Sequence, residues 1–299
     1  MLPPLAILCY HRLVEEDALE TAWPYIERGT AVRMANFRTQ LRDIARFADA
    51  VSERVALDVL AGRRSLSRPA VWLTFDDGYR DALSAVGPET TGTVFVTSCV
   101  AERSLPADEW YDVLLAANRT RGSLDLGLGA FAYDLHHREG RARLVNGPER
   151  RAYLRSASIA RAATLQALAE QLDADVPGSH RYLSYQEMHQ LLAAGWTLGS
   201  HGSTHTPFDA MEPERVLREA RESLEWLSAL GAQTCSIALP DGSLPRDPLS
   251  LYSCGYECVL GLGNQLAEQG AAVQPRFIVP DDPHWVSRVL QPTLEAESA

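Results

Sequence analysis

Short apolar runs and helix-spaced apolar positions alternate along most of this chain. The runs at 5–10, 70–75, 92–97, 197–199, 235–238, 258–260 and 276–279 are bounded by turn residues and predict buried strands. Between them, Phe37, Leu41, Ile44 and Ala45 keep helical spacing and predict a helix over 34–46, with Asn36 as its start signal. Residues 186–194 and 213–230 predict two further helices, stopped by Gly195 and Gly231. Shorter helices are expected at 79–86 and 249–253, and a short strand followed by a helix within 49–62. The polar, irregular stretch 14–33 reads as a loop. Strands alternating with helices argue for a parallel sheet or a barrel.

The rhythm stops between Val100 and His180. There the pattern predicts an amphipathic helix at 110–118, a small hairpin at 124–135 and a long helix at 149–172. Arg150, Arg151, Arg155 and Arg161 on the long helix can attract a phosphate or form a solvated face.

Composition narrows the class. At 299 residues the chain has the length that a barrel of strands and helices uses as one domain. Its net charge of −11 argues against a nucleic-acid or anionic-membrane partner. No stretch reaches the length of a membrane span. Five cysteines without a CxxC spacing form neither a disulfide framework nor a zinc ribbon. Cys9 reads as a core residue, and Cys254 and Cys258, flanking Gly255-Tyr256, are weak ligand candidates. The first residues carry no basic start, long apolar run or small-residue cleavage site, so the expected setting is cytoplasmic.

Candidate chemistry gathers at two predicted strand ends. Leu73-Thr74-Phe75-Asp76-Asp77-Gly78 delivers adjacent carboxylates that can enter one pocket at different places. His201 and His205 are four apart and would share a face on a helical turn. Two imidazoles and a carboxylate make a zinc-type set with an open position. Barrel active sites form at the carboxyl ends of strands. By residue type alone, acidic turns and satisfied histidines explain the same positions equally well.

Thr74-Phe75-Asp76-Asp77-Gly78 and His201-Gly202-Ser203-Thr204-His205 resemble the first two motifs of the polysaccharide deacetylases, carbohydrate esterase family four, the NodB-homology domain. The resemblance extends to Cys9-Tyr10-His11-Arg12, to Leu183-Ser184-Tyr185-Gln186-Glu187-Met188, and to Ile237-Ala238-Leu239-Pro240-Asp241-Gly242, but not to the middle of the chain. It implies a single α/β domain over 1–299, a distorted (β/α) barrel with a mainly helical insertion at about 101–180. Such an insertion would cover the barrel's open face or mediate homodimer contacts.

The resemblance also implies roles. Asp77, His201 and His205 would hold a divalent metal, zinc by preference, with cobalt, nickel, manganese and iron compatible. Asp76 would be the general base. The amide of Asp241, after Pro240, would face the oxyanion, with His11 bordering the pocket. Tyr79 and Trp285 could stack on a sugar ring, whereas Trp110 and Tyr111 read as core. The chain departs from the pattern twice. Ala238 stands where the family often has an arginine paired with the base, and no clean general-acid motif is found. His284, beside Asp282, is the best candidate acid by position. His136, His137 and His180 are expected at the surface and His189 in a structural role. The implied activity is removal of an N-acyl group, acetyl by preference, from an amino sugar or a sugar-containing metabolite. A formamido-sugar deformylase, a hydrolase of a non-sugar amide and a non-catalytic glycan-binding barrel are the alternatives.

Overall fold

The computed structural model describes residues 4–87, 90–176 and 181–298. The chain divides into two compact units: Met1–Glu16 with Thr30–Glu102 and Arg181–Ala299, and Asp17–Gly29 with Arg103–His180.

The first unit holds one parallel sheet of eight strands. In chain order they are β1 (Leu5–Tyr10), β2 (Asp49–Ala50), β3 (Ala70–Phe75), β4 (Gly92–Val96), β5 (Thr197–Ser200), β6 (Ser236–Ala238), β7 (Cys258–Leu260) and β8 (Phe277–Ile278). Across the sheet they run β7-β6-β5-β4-β3-β1-β8, with β2 also on β3. Successive side chains of a strand face opposite sides. Leu5 and Ile7, Ala70 and Trp72, Phe95, Ala238, Cys258 and Leu260 therefore meet in one inner core. Ile237 and Val259, one residue out of phase, pack outward against Val216 and Ala220 of the helix Pro213–Ala229. The sheet is a curled, distorted (β/α) barrel. The segment leading into β8 draws its edges together: the Gln274 amide donates to the Val259 carbonyl (2.8 Å) and the Gly261 amide to the Gln274 carbonyl (2.9 Å). Three residues further, from Phe277, β8 pairs with β1.

Helices begin and end on local chemistry. Ser184 caps Tyr185–Ala193 in a reciprocal box with Glu187. Met34–Phe47 starts without a side-chain cap, and Asn36 lies inside it, its amide donating to Asp281 (2.6 Å). The expected helix at 79–86 is a tight 3-10 turn, Arg80–Ala85. The stretch read as a loop, 14–33, is more ordered than its polarity suggests. Arg12–Val14 and Ala31–Arg33 form a small parallel ladder, and Trp23–Arg28 is a helix ended by Gly29 in the left-handed region. Elements of three to six residues are too short to display a period, which hides them in the sequence.

The second unit is mainly helical: Trp23–Arg28, Pro106–Leu115, Arg138–Asn146, Pro148–Arg155 and Ser158–Leu172, with an antiparallel hairpin of Arg121–Leu124 and Phe131–Asp134. Trp110 and Tyr111 are core residues, the Trp110 indole donating to the Leu144 carbonyl (2.9 Å). The single long helix expected at 149–172 is broken. Ser156 takes an extended conformation while its hydroxyl and amide both bond to the Tyr153 carbonyl. Arg150 is buried with its guanidinium over the Tyr111 ring, whereas Arg151 and Arg155 are exposed. Among the described residues no helix is long and apolar enough to cross a membrane.

Candidate metal centre

Strand phase brings the first carboxylate inside. Trp72 and Thr74 point into the barrel, so Asp76, two further on, continues that row just past the strand's end. Its backbone amide donates to the Tyr10 carbonyl (2.9 Å), holding the turn against β1. The side chain is buried and takes both ends of the Arg276 guanidinium, Nη1 to Oδ1 at 2.6 Å and Nη2 to Oδ2 at 2.7 Å. Arg276 is fully buried, donates also to the Gly261 carbonyl and the Thr74 hydroxyl, and lies over the Phe95 ring. Burial pushes the Asp76 carboxyl up, but Arg276 and, less strongly, His201 bring it down to about 2. The arginine sought at position 238 thus arrives from the entry of β8. Its trace in the sequence is a cation opening an otherwise apolar run, Arg276-Phe277-Ile278-Val279.

Asp77 turns away from Asp76. Its φ of 73° lies in the left-handed region, which few non-glycine residues adopt. Its carboxylate meets both imidazoles, with Oδ1 2.9 Å from His205 Nε2 and 3.3 Å from His201 Nε2. Burial pushes the Asp77 carboxyl up, and the neighbouring imidazoles, His205 foremost, more than offset it, holding it well below the usual carboxylate range.

The two histidines do not share a helical turn. His201 follows β5, and the chain then runs as a loop through Gly202 (φ 72°) to His205 (φ 54°). Gly199 at the end of β5 is required by packing, since a Cβ there would lie 2.3 Å from the Phe95 ring. Glu219, buried on the helix Pro213–Ala229, ties the loop down. Its Oε2 accepts from the Ser203 and Thr204 amides (3.0 and 2.8 Å), its Oε1 from the Thr204 hydroxyl (2.9 Å), and its carbonyl from the Ser203 hydroxyl (3.0 Å). The sequence reading missed Glu219. Its signal is a carboxylate on the apolar face formed by Val216, Ala220 and Leu227.

The other candidates divide. His11 is partly buried near both carboxylates, and burial lowers its pKa. Pro240 and Asp241 (φ 54°) directly follow Ala238 and Leu239, and the Ala238 carbonyl is bonded to His201. Tyr79 is 3% exposed, stacked on Tyr182 with Arg12 over its ring. Trp285 is buried edge-on to Phe277. His284 is exposed on a turn, its amide donating to Asp282, and among the described residues no hydrogen bond or ion pair joins it to Asp76, Asp77, His201 or His205. His136 and His137 are exposed, as is His189, for which packing had been expected; His180 lies outside the described residues. All five cysteines are free.

The donor set fits a metal ion. Asp77, His201 and His205 each offer one ligand atom, all within 4.8 Å of one another and buried. His201 Nδ1 is 2.8 Å from the Ala238 carbonyl. A carbonyl only accepts, so Nδ1 carries the proton and Nε2 presents a lone pair. Asp77 Oδ1 makes no hydrogen bond although it is buried. An acceptor facing an acceptor at 3.3 Å is an arrangement that a cation stabilises.

By sequence the chain matches no family model and no curated protein. By structure it is similar to the deacetylase PplD of Streptococcus pyogenes, solved in complex with acetate, with a TM-score of 0.64, 16% identity, and 98% of this chain and 99% of that chain covered. IcaB from Ammonifex degensii gives 0.60 at 17% identity, covering 98% and 97%. The deacetylase domain of BpsB from Bordetella bronchiseptica gives 0.54 at 14%, covering 93% and 96%. At these identities the likeness is one of fold, and it spans nearly the whole of each chain: the protein has the distorted (β/α) barrel of the polysaccharide deacetylases.

Proposed function

We propose that this chain is a divalent-metal-dependent hydrolase that removes an N-acyl group, acetyl by preference, from an amino sugar. One observation carries the reading: a buried carboxylate oxygen without a hydrogen bond faces two imidazole nitrogens, next to a second carboxylate held by an arginine. Asp77, His201 and His205 would hold the metal, and their nitrogen and oxygen donors suit zinc. When bound, it supplies Lewis acidity to the substrate carbonyl and to water.

The chain's own groups do the rest. Asp76 accepts the proton of the attacking water, and Arg276 keeps it ionised and fixes its plane. The Asp241 amide faces the oxyanion that forms at the acyl carbon. As the carbon–nitrogen bond breaks, the amine takes back the proton that Asp76 received, which balances the hydrolysis. Direct return by Asp76 predicts that His284→Gln keeps turnover within about twofold; delivery by His284 instead predicts a loss of about 10²-fold or more. We take the setting to be cytoplasmic, which five free thiols suit.

Acetate release from N-acetylglucosamine oligomers by the zinc-loaded protein tests the proposal. Wild type should release acetate and Asp76→Asn should not. No release from acetylated or formylated amino sugars by metal-loaded wild type would overturn it.

A further inference from the structure

A second group of ligand atoms lies beside the first. Cys9 follows Leu5 and Ile7 in the inward row of β1, so its thiol points toward Asp76. Cys9 Sγ is 3.5 Å from Asp76 Oδ2 and 4.0 Å from His11 Nδ1, and ligand atoms of all three residues lie within 4.8 Å of one another. Zinc binds thiolate at about 2.3 Å and nitrogen or oxygen at about 2.0–2.1 Å, so at tetrahedral angles a sulfur and a nitrogen or oxygen ligand stand roughly 3.5 Å apart. The spacing of Cys9 and Asp76 meets that value without rearrangement, and that of Cys9 and His11 is half an ångström wider.

We propose that Cys9, His11 and Asp76 form a second, weaker metal site for a thiophilic divalent cation such as zinc or cadmium, and that filling it blocks turnover. The sulfur donor distinguishes this set from Asp77, His201 and His205, which offer only nitrogen and oxygen. Two features make it the weaker site. Arg276 already holds both oxygens of Asp76 and places a positive charge beside any incoming cation. The Cys9 thiol must also lose its proton to solvent as the sulfur–metal bond forms, so binding releases a proton. No electron changes hands. His11 turns Nδ1 toward the Cys9 sulfur and supplies the nitrogen donor. The inhibitory consequence rests on the reading of Asp76 as the base; the binding itself does not.

Cobalt titration of the metal-stripped protein, followed by absorption, reads the two sites separately, because thiolate ligation adds a charge-transfer band in the near ultraviolet. Wild type should take up two equivalents, with the thiolate band growing only with the second. Cys9→Ser should take up one equivalent without the band, and His201→Ala should keep the band. If Cys9→Ser does not fold, His11→Gln serves in its place and should weaken the second equivalent on the order of tenfold or more. In parallel, excess zinc should inhibit wild type, and Cys9→Ser measurably less, each relative to its own uninhibited rate. One equivalent without a thiolate band overturns the second site and leaves the hydrolase reading intact. A band that persists in Cys9→Ser assigns the thiolate elsewhere and overturns it as well. A wild type that binds no cobalt overturns both.

Discussion

Asp76 follows β3 directly and Asp77 opens the turn after it, whereas His201 follows β5 and His205 lies further along a loop. The carboxylate side is fixed by the phase of β3 and by an arginine from across the sheet. The imidazole side depends on two left-handed residues and on Glu219, which accepts three hydrogen bonds at its carboxylate. Strand phase is dictated by neighbouring residues, so the position of Asp76 is set by construction, while Asp77 is turned away by its own left-handed backbone. A loop has no such phase, and its geometry is set by a partner on a separate helix. Damage to the two sides should therefore differ in kind: on the carboxylate side it strands a buried charge, on the imidazole side it loosens a metal ligand.

Asp76→Asn gives the largest expected effect. Turnover should fall by about 10²–10⁴-fold while metal content stays at the wild-type level. Loss of both together would place Asp76 among the metal's ligands and erase the contrast between the adjacent carboxylates.

Arg276→Gln comes next. It leaves Asp76 buried without its ion-pair partner, at a cost of about 3–5 kcal/mol in denaturant unfolding. The sign of the pH effect follows. Arg276 holds the Asp76 carboxyl at about 2, below its ordinary value, so the stability from this pair is present above the ordinary carboxylate range and is lost as pH falls toward 2. Without Arg276, burial dominates and the carboxyl rises, so the acid limb of the turnover profile should move to higher pH. An unmoved limb would assign that limb to another group.

Glu219→Ala sharpens the other side. Two loop amides lose their acceptor, which should weaken metal affinity by about 10–100-fold and stability by about 1–3 kcal/mol. Turnover at saturating metal should recover, which Asp76→Asn will not do. The smallest effect is expected from Ser184→Ala, which removes a helix cap away from both sides: about 1 kcal/mol of stability and unchanged turnover.

The same contrast explains what could be read from the sequence. Strands β1, β3 and β7 match their apolar runs residue for residue, because a strand buried on both faces leaves a continuous run. Asp76 and Asp77 were legible because they end such a run. The histidines were legible as a pair, but the helical turn expected from their spacing is a loop. Spacing alone cannot report the left-handed conformations of Gly202 and His205. Arg276 and Glu219 were not found, because each acts across about 200 and 16 residues of chain, and a search for the arginine at position 238 looks along the sequence while the barrel closes in space. The break at Ser156 was hidden because apolar spacing continues on both sides of it.

Metal stoichiometry by elemental analysis tests the central claim most directly, on protein purified without chelator and dialysed to remove weakly held ions, beside His201→Ala. The account predicts about one ion per chain in the wild type and none in the variant. A wild type that carries no metal and takes none up on titration would contradict it.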